Sequence, residues 1–117
     1  MGKLSTHVLD VTQGKPGAGV KVALFAVRGN EKVLLKNTVT NSDGRCDAPL
    51  LQGDELLAGR YELVFGAGDY FAGQGVQLPA PRFVDEVVLA FGIADPAQNY
   101  HVPLVVSPWS YSTYRGS

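Results

Sequence analysis

Residues 100–117 read YHVPLVVSPWSYSTYRGS. An apolar stretch, 101–106, is followed by Ser107-Pro108 and then by Trp109, Tyr111 and Tyr114 spaced by hydroxyl residues. β-Branched and aromatic side chains favour a pleated, half-buried backbone, so the spacing predicts two strands, 101–106 and 110–115. The second is unusual, because the last residues of a domain are ordinarily loose unless something holds them. Outward from this pair, 14 glycines and seven prolines cut the chain into short pieces rich in Val, Leu, Phe and Tyr. Residues 7–11 form a first strand, closed by the turn-rich GKPGAG at 14–19. Residues 20–27 are apolar at both parities and are expected to be covered on both faces. A strand over 32–40 ends at Asn41-Ser42-Asp43-Gly44, residues 60–65 alternate with period two, and 83–91 supply another strand. GAGDYFAGQG, 66–75, is too rich in glycine for a long helix and leaves room for one short turn at 69–72. Seven or eight short strands with regular turns predict an all-β sandwich, and with no repeat or linker in view the expectation is a single domain over 1–117.

At 117 residues the chain is long enough to bury a core without staples. Cys46 is the only cysteine, so no intrachain disulfide forms, and a reducing, cytoplasmic setting is expected. A net charge of −1 with interspersed signs predicts no nucleic acid and no membrane as partners.

The residues able to carry chemistry are few. His7 and His101 lie inside strand segments at opposite ends of the chain. A strand histidine can simply be packed with one hydrogen bond, or it can take and give a proton near neutrality, since its unperturbed pKa is ~6.5. Metal binding is not expected, because neither His-x-His nor Cys-x-x-Cys spacing occurs. Arg45 follows the Ser-Asp-Gly turn; it is either a solvated residue or a fixed fork of N–H donors for an oxygen that gains negative charge. Cys46 reads as a small buried residue. Neither the G-x-S-x-G elbow nor a G-x-G-x-x-G phosphate loop is present.

Three stretches, LSTHVLDVTQGKPGAGVKVAL, TNSDGRCDAPL and YHVPLVVSPWSYSTYRGS, resemble the transthyretin-like 5-hydroxyisourate hydrolases almost end to end and in order. The closing Tyr114-Arg115-Gly116-Ser117 is the most specific piece, because in that family it separates the hydrolases from transthyretin, a carrier with the same fold. The resemblance implies a transthyretin-like (prealbumin-like) sandwich of two four-stranded sheets with one short helix, assembled as a homotetramer, a dimer of dimers with active sites in clefts between dimers. It implies hydrolysis of 5-hydroxyisourate by opening of the six-membered ring, as a step of urate breakdown, with no cofactor. The family's catalytic positions fall on His7, Arg45, His101 and Ser117, and its substrate-binding positions on Tyr114, Arg115 and Gly116. The chain is then expected to end with the terminal carboxylate inside the cleft. Arg115 has two open roles, facing ligand or bracing the wall, and the order in which the histidines act is open as well. The rival readings are a non-catalytic carrier of a small aromatic ligand and an immunoglobulin-like interaction module.

Overall fold

The structure is a computed structural model that describes residues 2–116. Its strands are β1 (Lys3–Asp10), β2 (Lys15–Pro16), β3 (Lys21–Arg28), β4 (Glu31–Val39), β5 (Leu51–Gln52), β6 (Gly59–Phe65), β7 (Val87–Ile93), β8 (Tyr100–Val106) and β9 (Tyr111–Thr113). An α-helix, α1 (Ala67–Gly73), follows β6. One sheet has the order β4-β3-β6-β7, all antiparallel. The other runs β2-β1-β8-β9, with β5 also on β1. β2, the Arg45 bridge to His7, and β5 lie along the same side of β1, at its C-terminal end, its middle and its N-terminal end. Together they act as one broken edge strand, so the sandwich is in effect four strands on four.

Alternation decides which side chains meet between the sheets. In β1, Leu4, Thr6, Val8 and Asp10 are buried while Ser5, His7 and Leu9 face outward. Val22 and Leu24, Leu63 and Phe65, Val87 and Leu89, and Val102, Leu104 and Val106 fill the core from β3, β6, β7 and β8. Each such aliphatic or aromatic side chain contributes about 1.5–3 kcal/mol on removal from water. Helix α1 closes one end: Phe71 is fully buried, and the Tyr70 hydroxyl donates to Asp10 Oδ2 at 2.7 Å. Asp10 Oδ1 also accepts from the backbone N–H of Thr12 and Gln13, which fixes the end of β1.

Several boundaries differ from the sequence reading. The first strand begins at Lys3, four residues before His7. β7 starts at Val87, because Arg82 pairs with Asp85 and the Asp85 carbonyl accepts from Gly68 N–H of α1, which diverts 82–86 from a ladder. Only one face of β3 is buried; Ala23, Phe25 and Val27 on the other are half-buried, so the expected cover on both faces is not found within one chain. The two-residue strands β2 and β5 carry no pattern long enough to be read.

Candidate active site

β1 and β8 run parallel, in a register that places Ser5 opposite His101 and His7 opposite Pro103. Both histidines stand on odd positions and share the outer face. Residues at opposite ends of the chain thereby come together, with imidazole centroids 6.5 Å apart and planes tilted by 39°.

Arg45 reaches the same face through the turn before it. Gly44 N–H donates to the Asn41 carbonyl, and the Asn41 side-chain oxygen accepts from the N–H of Asp43 and Arg45. Gly44 has φ +75°, and an added Cβ would run into the Val8 carbonyl. Its own carbonyl accepts from Val8 N–H at 2.7 Å, which clips the turn to β1 and leaves Arg45 bridged to His7. Glycine is therefore required here both for conformation and for close approach. No acidic side chain among the described residues forms an ion pair with Arg45.

The last segment completes the wall. β9 pairs with β8 through Leu104–Thr113, and the same register reappears at the bridge between His101 and Gly116. By alternation Tyr114 shares the face of His101, and its side chain is exposed. Arg115 has the other parity: its guanidinium lies 4.5 Å from the centroid of the Tyr100 ring and donates to Gln98 Oε1 and the Asn99 carbonyl. Ser117 lies outside the described residues.

The electrostatics follow from this packing. His7 is held below the ordinary histidine range by partial burial and by the Arg45 cation, against a smaller upward pull from its bond to Asp43. His101 is lowered by burial, then by Arg45 and by His7. Both rings are thus neutral at neutral pH, the state that accepts a proton. A backbone carbonyl only accepts, so the 2.9 Å contact between His7 Nε2 and the Asp43 carbonyl requires Nε2 to carry the hydrogen, and Nδ1 is the basic nitrogen. Burial pushes the Cys46 thiol up, which fits its reading as a packed residue. No three His, Cys, Asp or Glu side chains among the described residues converge as metal ligands.

A cavity of about 210 Å³ opens beside Ser5, Arg45 and Cys46. A larger one, about 590 Å³, lies at the other sheet among Lys21, Asn37, Asp69 and Glu86, but it holds no histidine. The β1–β8 face beside the smaller one is the better candidate, since Arg45, which lines that cavity, is bridged to His7, and His101 stands next to His7 on the same face. Ser5 escaped the sequence reading. Its signal is its place two residues before His7, which puts both on one face of a strand.

The chain is similar to known proteins over nearly its whole length. The family model described as HIUase/Transthyretin family matches residues 4–116. The 5-hydroxyisourate hydrolase of Pseudomonas aeruginosa is 58% identical over 117 residues, covering 100% of this chain and 93% of that protein. The crystal structure of (S)-allantoin synthase superposes with a TM-score of 0.94 at 44% identity; the match covers 99% of this chain but only 44% of that one. The structure of Klebsiella pneumoniae 5-hydroxyisourate hydrolase has a TM-score of 0.80 at 38% identity, with 100% of each chain covered. A full-length match of this depth, on a sandwich that carries the paired histidines on its outer face, means that the chain belongs to the HIUase/Transthyretin family.

Proposed function

We propose that this protein hydrolyses 5-hydroxyisourate, with His7, Arg45 and His101 as its catalytic residues. The observation that carries the proposal is the convergence, on the outer face of β1 and β8, of two neutral imidazoles and a guanidinium with no carboxylate partner among the described residues. Ring opening forms a bond from water oxygen to a ring carbonyl carbon and breaks the carbon–nitrogen bond; the water proton is taken up and a proton is delivered to the departing nitrogen. One histidine takes the first proton, the same or the other supplies the second, and Arg45 donates to the carbonyl oxygen as it becomes negative. Neutral histidines beside a fixed cation suit those tasks. No cofactor is required by this chemistry.

Tyr114 and Gly116 line the substrate side of this reading, with Ser117 as a further polar group, while Arg115 braces the segment against Tyr100. The working form is a homotetramer, a dimer of dimers, in the cytoplasm. Supporting the assembly, the edge strands β7 and β9 carry exposed Val88 and Tyr111, and Trp109 and Phe83 form an exposed aromatic pair with centroids 6.1 Å apart. A second subunit over this face would exclude water, strengthening each charge interaction.

The test is to generate 5-hydroxyisourate in situ with urate oxidase and to follow its ultraviolet band with and without the protein. Decay well above the spontaneous rate is expected. Decay at the spontaneous rate would remove the enzyme reading in favour of a carrier, and sedimentation of the purified protein as a monomer would remove the tetramer.

A further inference from the structure

The two histidines are held by different kinds of group. His7 gives its Nε2–H to the carbonyl of Asp43, whereas His101 places Nδ1 2.9 Å from the hydroxyl of Ser5. Ser5 and His101 are direct partners in the parallel register of β1 and β8, so their separation is set by two central strands and not by a loop. On the other side of β8, Gly116 exchanges two backbone hydrogen bonds with His101, 2.7 and 3.2 Å long. A Cβ at position 116 would stand 3.1 Å from both Cβ and Cδ2 of His101, so a larger residue there would make the ring give by a few tenths of an ångström. Of the five ring atoms, Nδ1 is held by Ser5 and the Cγ–Cδ2 side lies over Gly116. Nε2 lies on the other side of the ring from Nδ1.

We propose that Ser5 is the positioning residue of His101: its hydroxyl accepts from Nδ1–H and so makes Nε2 the nitrogen that exchanges protons with the substrate. The inference rests on the reading of His101 as an acid–base group. It deepens that reading by giving the two rings opposite working nitrogens, Nδ1 in His7 and Nε2 in His101.

The proton balance fits a hydroxyl partner. In the neutral ring Nδ1 carries hydrogen and Nε2 a lone pair. When Nε2 gains a proton, both nitrogens are donors, and Ser5 Oγ still accepts from Nδ1. Only the Nε2–H bond forms and breaks, while the ring stays in place. A carboxylate at position 5 would stabilise the imidazolium and keep the proton, but a neutral hydroxyl leaves it free to depart. The charged or titratable groups that face His101 among the described residues are His7 on β1 and Arg45 after the turn, and both favour the neutral ring.

The experiment compares Ser5→Ala and Ser5→Thr with the unaltered protein, by steady-state kinetics across pH and by nitrogen-15 NMR of the His101 ring. Ser5→Ala is expected to lower kcat about tenfold, the size of one lost hydrogen bond to a group that becomes charged, with KM changed less than twofold. Its neutral His101 should change from a single Nδ1–H form to a mixture of tautomers, and Ser5→Thr should restore both kcat and the single form. Wild-type kcat or an unchanged nitrogen pattern in Ser5→Ala would overturn the proposal, as would a threonine variant no better than alanine. The NMR pattern is read without substrate. A protein that fails to hydrolyse 5-hydroxyisourate would thus refute the proposed function while the role of Ser5 was still judged on its own.

Discussion

The two outer faces of the sandwich are built by the same alternation, yet they treat charge in opposite ways. On β3, β4, β6 and β7, Lys32 Nζ lies 2.8 Å from Glu62 Oε1, and near α1 Arg82 pairs with Asp69 and Asp85. Charge there is cancelled by neighbouring charge. On β1 and β8, Arg45 has no carboxylate partner among the described residues, and the imidazoles are held by a carbonyl and a hydroxyl. Neutral partners fix a side chain without satisfying its charge or its proton. Such a face leaves a cation and two proton acceptors ready for a ligand, which is why the site is placed here and not at the larger cavity.

This contrast can be broken most sharply at the three converging side chains. His7→Asn and His101→Asn should each lower turnover by about 10²–10⁴ while the circular dichroism spectrum and Tm stay near those of the unaltered protein. Arg45→Lys keeps the charge but loses the planar fork, and a loss of comparable order is expected. A variant with full kcat would return its residue to a packing role.

Gly44→Ala tests the turn that delivers Arg45. A left-handed backbone costs a non-glycine residue about 1–2 kcal/mol, and the Val8 carbonyl blocks the added methyl. A lower denaturation midpoint together with reduced kcat is expected; unchanged values in both would show that the turn does not position Arg45.

The pH dependence sharpens the comparison further. If the proposed site works with these neutral imidazoles, both lowered from the ordinary histidine value, kcat/KM should be level near neutrality and fall on acidification with an apparent pKa under ~6.5. Removing the cation with Arg45→Gln should move that limb towards higher pH; a limb that does not move would mean that Arg45 does not act on the histidines. The same shifts bear on folding. Between the folded pKa and the unfolded value of ~6.5 the unfolded chain binds more protons, so the stability due to these histidines is present above that value and is lost as pH falls through the folded pKa. Urea midpoints that do not fall from pH 7 to pH 5, or that fall equally in a His7→Asn, His101→Asn double variant, would contradict this.

The smallest effect belongs to the other face. Lys32→Ala removes a partly exposed ion pair, whose typical contribution is about 0–1 kcal/mol, and should leave hydrolysis unchanged. A marked loss of activity would place chemistry on the wrong sheet.

Much of this is legible in the sequence. The alternation of 60–65 and the apolar run 101–106 marked β6 and β8, and the Asn-Ser-Asp-Gly turn marked the step that carries Arg45. What composition and period could not supply is pairing: nothing local says that β1 and β8 run side by side, and only that pairing brings His7 to His101. That part of the site was read from the resemblance of three separated stretches to a family. Ser5 was missed because the first strand was begun at His7, and the Asp43 carbonyl because a backbone acceptor has no sequence signature. Phe83 was read into a strand for its β-forming neighbours, while the ties of Arg82 and Asp85 hold that segment out of the ladder.

The central claim is that hydrolysis takes place on the β1–β8 face and depends on its unpaired proton acceptors. The most direct measurement is the decay of 5-hydroxyisourate, generated in situ, followed side by side for the unaltered protein, His101→Asn and Lys32→Ala at matched concentration. The account predicts fast decay with the first and third and near-spontaneous decay with His101→Asn. Equal acceleration by all three, or a loss confined to Lys32→Ala, would contradict it.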